Sequence, residues 1–456
     1  MTSHDEKIPT HRRKLKINHI IIVLLLVLTL GFIIFRFSLK SRLQSKLDAI
    51  SAAGYPVSCA ELDAWYSIPD FSKNAADTII EAFSHYFEWD KEYLEKLPVA
   101  GRAQLPACTE PLSEEMKALI TEYLADNKEA IALLHEGAAM EHSRYPVDFT
   151  QGFNILMPHL GDIRKGVRML ELEAVLHVEN NEPKLAVDSI KSIFGIARSL
   201  ANEPILISQL VRIACQALAV SALERIVNRI QLTDKLLTEL RLMLVNTENR
   251  DGFSRAFAGG RCIVSDFLKN PTSQSLSLYG KPSISTPLIT LYKFAGLADA
   301  DALLHIDLMT NYIEAMRLKP HQRKKAAEAA EAELNKISKI HVLLHTAMPA
   351  LSRCITIDLR CIANLRTSRL ALAIENYRIT TGNLPDALGD LVPNYLDTIP
   401  KDPFDGEALR YKKLDVGFIV YSVGEDGHDD GGKERPPKIK KGADFDTYDI
   451  TFIIGR

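Results

Sequence analysis

Residues 17–35, INHIIIVLLLVLTLGFIIF, hold no Asp, Glu, Lys or Arg and stand between Lys16 and Arg36. No other segment limits the chain's options as strongly. As a helix the run would be about 28 Å long, close to the roughly 30 Å hydrocarbon core of a bilayer. A buried core helix of this length usually keeps a polar face, and a cleaved signal peptide has an apolar run of about 7–15 residues ending at small residues. Here the run closes on Arg36, Phe37, Ser38, Leu39 and Lys40. The expectation is an uncleaved signal anchor over residues 17–39, behind a short cytoplasmic tail at 1–16.

Flanking charge does not orient the span. Lys7, Arg12, Arg13, Lys14 and Lys16 precede it, and Arg36, Lys40, Arg42 and Lys46 follow it, so neither side has a clear cationic excess. No second run of comparable length appears, which places everything after residue 39 on one side of the membrane.

The rest of the chain reads as helical. Gly 23 and Pro 21 in 456 residues fall below the average of about 12% for the pair, which disfavours a turn-rich β protein. With 55 Lys+Arg against 58 Asp+Glu there is no global field for nucleic acid, so no nucleic-acid partner is expected. Six Cys without a CxxC exclude a zinc ribbon or a thioredoxin-type site. Cys354 and Cys361 are seven apart on an expected helix, too far to pair with each other. Free buried cysteines are expected, with a Cys59–Cys108 pairing left open.

Between Ser41 and Arg144, helices are broken by YPVSC, YSIPDFS and LPVAGRAQLPAC, and Pro111–Glu115 opens a run to Leu134. Over residues 160–245, apolar faces at helical spacing are separated by ENNEP and NEP, an αα-hairpin rhythm like tetratricopeptide stacking without its signature Trp, Gly and Tyr. Asp251 to Pro287 reads as a loop-rich interruption. Helices are expected again over Asp299–Leu318 and Lys324–Leu344.

Enzyme motifs are sparse. His341 and His345 share the i, i+4 spacing of a zinc-protease pair, but HVLLH lacks the Glu of HExxH, and neither GxSxG nor a P-loop occurs. The densest chemical cluster is Glu425-Asp426-Gly427-His428-Asp429-Asp430-Gly431-Gly432. Carboxylates on a glycine-rich backbone suit a hard cation, calcium above all. Asp426, His428, Asp430 and Gly431 mimic half an EF-hand loop, but position 12 would be Pro437 and the flanks read as strands, so an EF-hand is excluded. Acidic solvated hairpin and calcium site are both open on these residues alone.

The order of segments around that loop has a parallel. A helix over Leu365–Thr380 containing Tyr377 is followed by Gly382 and Pro385, a turn with Leu388 and Leu391, then Pro400, Asp402, Pro403 and Gly406. Tyr421, Ser422, Gly424, Asp426 and Gly427 complete the series. This resembles the periplasmic part of the major pseudopilin of type II secretion systems, over about residues 350–456. The resemblance implies a helix packed on a small antiparallel sheet, outside the cytoplasm, with calcium in the last loop. Asp426 matches a family ligand position. KERPPKIKK at 433–441 leaves Asp444, Asp446 and Asp449 as alternatives for the second acid. The ligand set expected is Asp426, Asp430, Asp429 and Asp449. Because the apolar run here holds no Glu, has Gly31 as its only Gly and is separated from the C-terminal module by most of the chain, the module is expected to hang from a separate anchor.

The expected protein is therefore mainly α: a transmembrane helix, a helical-hairpin body at 40–345 and a pseudopilin-like α+β domain at 346–456. It is expected in the cell membrane, single-pass, with its bulk on the periplasmic side, contacting the bilayer through residues 17–39 and protein partners through its body. Binding in envelope or secretion-related assembly is the expected role. A membrane-tethered hydrolase with its active site in the helical body is the alternative.

Overall fold

The computed structural model describes residues 10–69, 72–248, 252–269, 271, 286–348, 351–434 and 448–456. The first helix, α1 (Thr10–Ala52), runs without a break from the apolar segment into the body. Its side chains from Ile20 to Phe35 are mostly half to two-thirds exposed. Thr29, the hydroxyl within the apolar segment, donates from Oγ1 to Leu25 O at 2.7 Å. One turn past Arg36 the environment changes. Leu39, Leu43 and Leu47, four apart and so on one face, are all buried.

Five helices follow: α2 (Cys59–Trp65), α3 (Ala75–Ser84), α4 (Lys91–Leu94), α5 (Glu114–Asp126) and α6 (Lys128–Ala139). Ser58, Asn74 and Ser113 cap α2, α3 and α5 through their side-chain oxygens, satisfying first-turn N–H groups. The run from Pro111 is split at Asn127, fully buried, whose Nδ2 donates to Tyr123 O and whose Oδ1 accepts from Phe87 N. A side chain that bridges to another segment this way interrupts the helix it sits in.

The hairpin array is α7 (His159–Glu179), α8 (Pro183–Ser199), α9 (Leu206–Arg229) and α10 (Asp234–Glu248). Pro183 opens α8, where its missing N–H costs nothing. Helix α9 is long and apolar enough to cross a membrane, yet 61% of that window is buried in the body, and Gln209, Arg212, Gln216 and Arg225 lie buried along it. It is the central core helix.

Further segments depart from the sequence expectation. Within the stretch read as a loop-rich interruption, Gly252–Lys269 forms a largely buried helix, α11. Gly259 is what allows it: a Cβ there would collide with Pro204 O, so this glycine marks a close approach to the start of α9. Of the rest of that stretch, 251, 270 and 272–285 lie outside the described residues, and Thr286 and Pro287 open the next helix. Then α12 (Thr286–Phe294), α13 (Leu297–Arg317) and α14 (Pro320–Lys336) follow. The helix expected to reach Leu344 ends at Lys336 and restarts as α15 (Val342–Ala347). Asp301 of α13, fully buried, accepts from Leu344 N at 3.1 Å and pairs with His341 Nδ1 at 2.5 Å. It is this inward carboxylate that claims the Leu344 N–H in the first turn of α15.

Helix α16 (Leu351–Thr381) begins well before the Leu365 expected and carries the C-terminal sheet. Strands β1 (Arg410–Lys413), β2 (Phe418–Ser422) and β3 (Ile450–Ile454) are antiparallel in the order β1-β2-β3, with Tyr411 opposite Val420 and Val420 opposite Phe452. Phe418, Val420, Phe452 and Ile454 are fully buried and share one core with α7–α10 and α16. The free edge of β3 is covered by α9: Asn228 Nδ2 donates to Ile453 O, Asn228 Oδ1 accepts from Gly455 N, and Glu224 Oε1 accepts from Ile453 N. The fold is thus mostly helical, with one small antiparallel sheet at the C-terminus and an apolar helix at the N-terminus.

Candidate functional site

The acidic loop leaves β2 and is tied down at both ends. Glu425, buried, meets Arg353 at 3.1 Å and Arg360 at 3.0 Å from α16, and Lys324 Nζ donates to Glu425 O at 2.6 Å. Glu425 is thereby removed from the acid cluster. Behind the loop, Asp402 is buried and accepts from Phe404 N, Ser422 Oγ and Val423 N, while Arg410 Nη1 sits 2.8 Å away. Burial raises the Asp402 pKa against these donors. Arg410 also contacts Asp405 and lies 3.8 Å from Asp429, so three acids share one guanidinium.

Of the four expected ligands, Asp426 is half-buried, Asp429 and Asp430 are exposed, and Asp449 is buried. Asp426 Oδ1 accepts from His428 N at 3.0 Å and Asp429 Oδ1 from Gly431 N at 2.9 Å. Both are short-range turns that fold the loop on itself. Asp449 Oδ2 accepts from Gly432 N at 2.7 Å and Lys433 N at 3.3 Å, which closes the loop onto β3. Its other oxygen, Oδ1, is buried with no hydrogen bond of ordinary geometry. Burial raises the pKa of this carboxyl against the pull of the Gly432, Asp430 and Lys433 N–H groups. Among the described residues no three His, Cys, Asp or Glu side chains are grouped to hold a metal ion. Asp444 and Asp446 lie outside the described residues.

The His341 and His345 pair does not converge. His341 is committed to Asp301, and His345 Nε2 lies 3.2 Å from Ile337 O. All six cysteines are free, five of them buried, with Cys354 and Cys361 on one helix and Cys108 half-buried. Burial pushes the Cys361 and Cys215 thiols up to about 12, so they are inert as nucleophiles at neutral pH.

The helical body holds a cavity of about 890 Å³ with mixed polar and apolar walls between α6, α8, α9 and α10. Sequence reasoning passed over it, although a lone His in ALLHEG was a signal. Asp188, Lys191 and Glu239 line one wall, where Lys191 bridges the two acids and holds the Glu239 carboxyl below its usual range. Arg198 donates to Ala138 O and Met140 O at the end of α6. On another wall, Ser192 Oγ lies 2.7 Å from His135 Nδ1, and His135 Nε2 lies 2.8 Å from Glu173 Oε2, which also accepts from Ser189 Oγ. Burial acts to raise the Glu173 pKa, but the His135 and Ser189 hydrogen bonds outweigh it and lower it. A second cavity, about 430 Å³, is lined by apolar groups including Phe153, Ile205, Phe257, Val264 and Met348. The arrangement can hold polar and apolar ligands. Comparison of the chain with protein-family models, with curated proteins and with solved structures finds no match.

Proposed function

We propose that this chain is a single-pass membrane protein that works by binding rather than catalysis, with its helical body on the periplasmic side and a role in envelope or secretion-related assembly. The observation that carries the reading is the continuity of α1. Its exposed apolar half passes, with no extended segment between, into a half whose Leu39, Leu43 and Leu47 are buried under α11 and α13. A signal peptidase cuts extended chain after small residues, and this junction is helical and built into the body.

The C-terminal segment is read as pseudopilin-like: a long helix on a small antiparallel sheet, followed by an acidic glycine-rich loop. Calcium is read into that loop on Asp449, whose Oδ1 is buried, with Asp426, Asp429 and Asp430 closing around the ion from positions that do not yet group as ligands. A bound ion would offset the mutual repulsion of these acids and fix the loop against β3. Millimolar calcium outside cells suits a site of this openness, which favours the exported side.

Binding is favoured over catalysis because both acids on the wall of the larger cavity share Lys191 and the Glu239 carboxyl is held below its usual range, where a catalytic carboxylate pair would hold one raised pKa. A hydrolase reading has one specific observation behind it, the Ser192–His135–Glu173 chain of hydrogen bonds. However, Ser192 sits inside α8, where the surrounding N–H groups are spent on helix bonds and supply no oxyanion donors. The test is alkaline extraction of membranes from cells making the chain. It should stay with the lipid pellet, and Leu25→Arg with Leu26→Arg should release it; extraction of the unsubstituted chain would refute the anchor.

A further inference from the structure

Helix α12 carries a row of large apolar side chains that the described residues leave largely exposed. Leu288, Leu291 and Phe294 are 58%, 61% and 69% exposed and recur every three residues. The opposite side of the helix is fixed inward. Ile289 is buried in the cluster that holds Leu39, Leu43 and Leu303. Tyr292 Oη donates to Asp301 Oδ2 at 2.7 Å and lies 3.1 Å from Ile340 O. Because Asp301 is itself buried and bonded to α15, α12 cannot roll to hide the outer row without breaking this junction.

The position of α12 says what lies against that row. The Phe294 ring is 5.4 Å from the Phe32 ring, centroid to centroid. Phe32 is four residues before Arg36, about 6 Å further along the helix toward the apolar end. If residues 17–39 cross a bilayer, Phe32 is in its hydrocarbon edge, and Phe294 is at the same depth. Interfacial amphipathic helices bury their apolar face by about 5–10 Å. Lys293, exposed beside Phe294, has the reach to place its ammonium among headgroups.

We infer that α12 is a second membrane contact, an interfacial helix that sinks Leu288, Leu291 and Phe294 into the leaflet from which α1 emerges. The inference rests on the anchor reading of residues 17–39. It makes the body a membrane-seated unit held at two points, with α12 toward the lipid.

The test uses the full chain in phosphatidylcholine vesicles whose acyl chains are brominated either near the headgroup or near the bilayer centre. The native Trp65 and Trp89 give the baseline emission. Phe294→Trp adds a reporter at an exposed position, and Leu25→Trp adds one at mid-span. Emission added by Phe294→Trp should be lost most with shallow bromines, and that added by Leu25→Trp with central bromines. Quenching at 25 with none at 294 would overturn the α12 inference alone, since α12 would then face water or a protein. Absence of quenching at 25 would overturn the anchor reading and this inference with it.

Discussion

Arg36 Nη1 lies 2.8 Å from Asp299 Oδ2, joining the last turn of the apolar span to the first turn of α13. Each side chain is about one-fifth exposed. Arg36 therefore marks where the span ends and where the body starts. A double-mutant cycle with Arg36→Ala and Asp299→Ala, read by thermal unfolding in detergent, should give a coupling of about 1 kcal/mol. Additive losses would contradict a pinned junction.

Gly296 sits beside this pair with φ of 86°, and a Cβ on it would run into the Arg36 guanidinium. Gly296→Ala should cost about 1–2 kcal/mol from the left-handed backbone alone. In the Arg36→Ala background the cost should shrink, because the steric part is gone. Equal costs in both backgrounds would show that Arg36 does not crowd this turn.

Glu171 on α7 is buried, and burial pushes its pKa from 4.5 up to about 8 although Arg168 and Arg225 pull it down. The folded protein then keeps a proton that the unfolded chain has lost. Stability should fall as pH rises from about 4.5 to about 8, by at most roughly 1.4 kcal/mol per pH unit, and level off above. Glu171→Gln should remove this part of the slope and be the more stable protein at pH 8. Parallel stability curves for the two proteins would contradict the buried neutral Glu171.

At the covered edge of β3, Asn228→Ala removes two hydrogen bonds to strand backbone and should cost about 1–3 kcal/mol. The loss should show as faster amide exchange at Gly455. Unchanged exchange there would mean that α9 does not cover this edge.

For the acidic loop, calcium should raise the melting temperature of the full chain and a chelator should reverse the rise. Asp449→Ala should abolish the response. A calcium response that survives this substitution would move the ion elsewhere, and no response in the unsubstituted chain would remove calcium from the account.

Legibility in the sequence followed the range of the interactions. The apolar run, the α7–α9 hairpins and the helix-then-strand order after residue 351 were readable because period and turn residues are local properties. The α11 segment was not, because Gly259 and Gly260 look like loop residues until Pro204, far away in sequence, is seen packed on the first of them. The break before α15 was equally hidden, since Asp301 draws it from another helix. At the acidic loop the sequence located the carboxylates. It could not show that Glu425 is spent on Arg353 and Arg360, or that Asp449 is the buried one. His135, Ser192 and Glu173 lie on three helices, and only folding brings them together.

The central claim is that the apolar helix is a retained anchor continuous with the body. Intact-mass analysis of the chain purified from membranes tests it most directly. The account predicts a mass that includes residues 17–35. A mature chain beginning after the apolar run would contradict it.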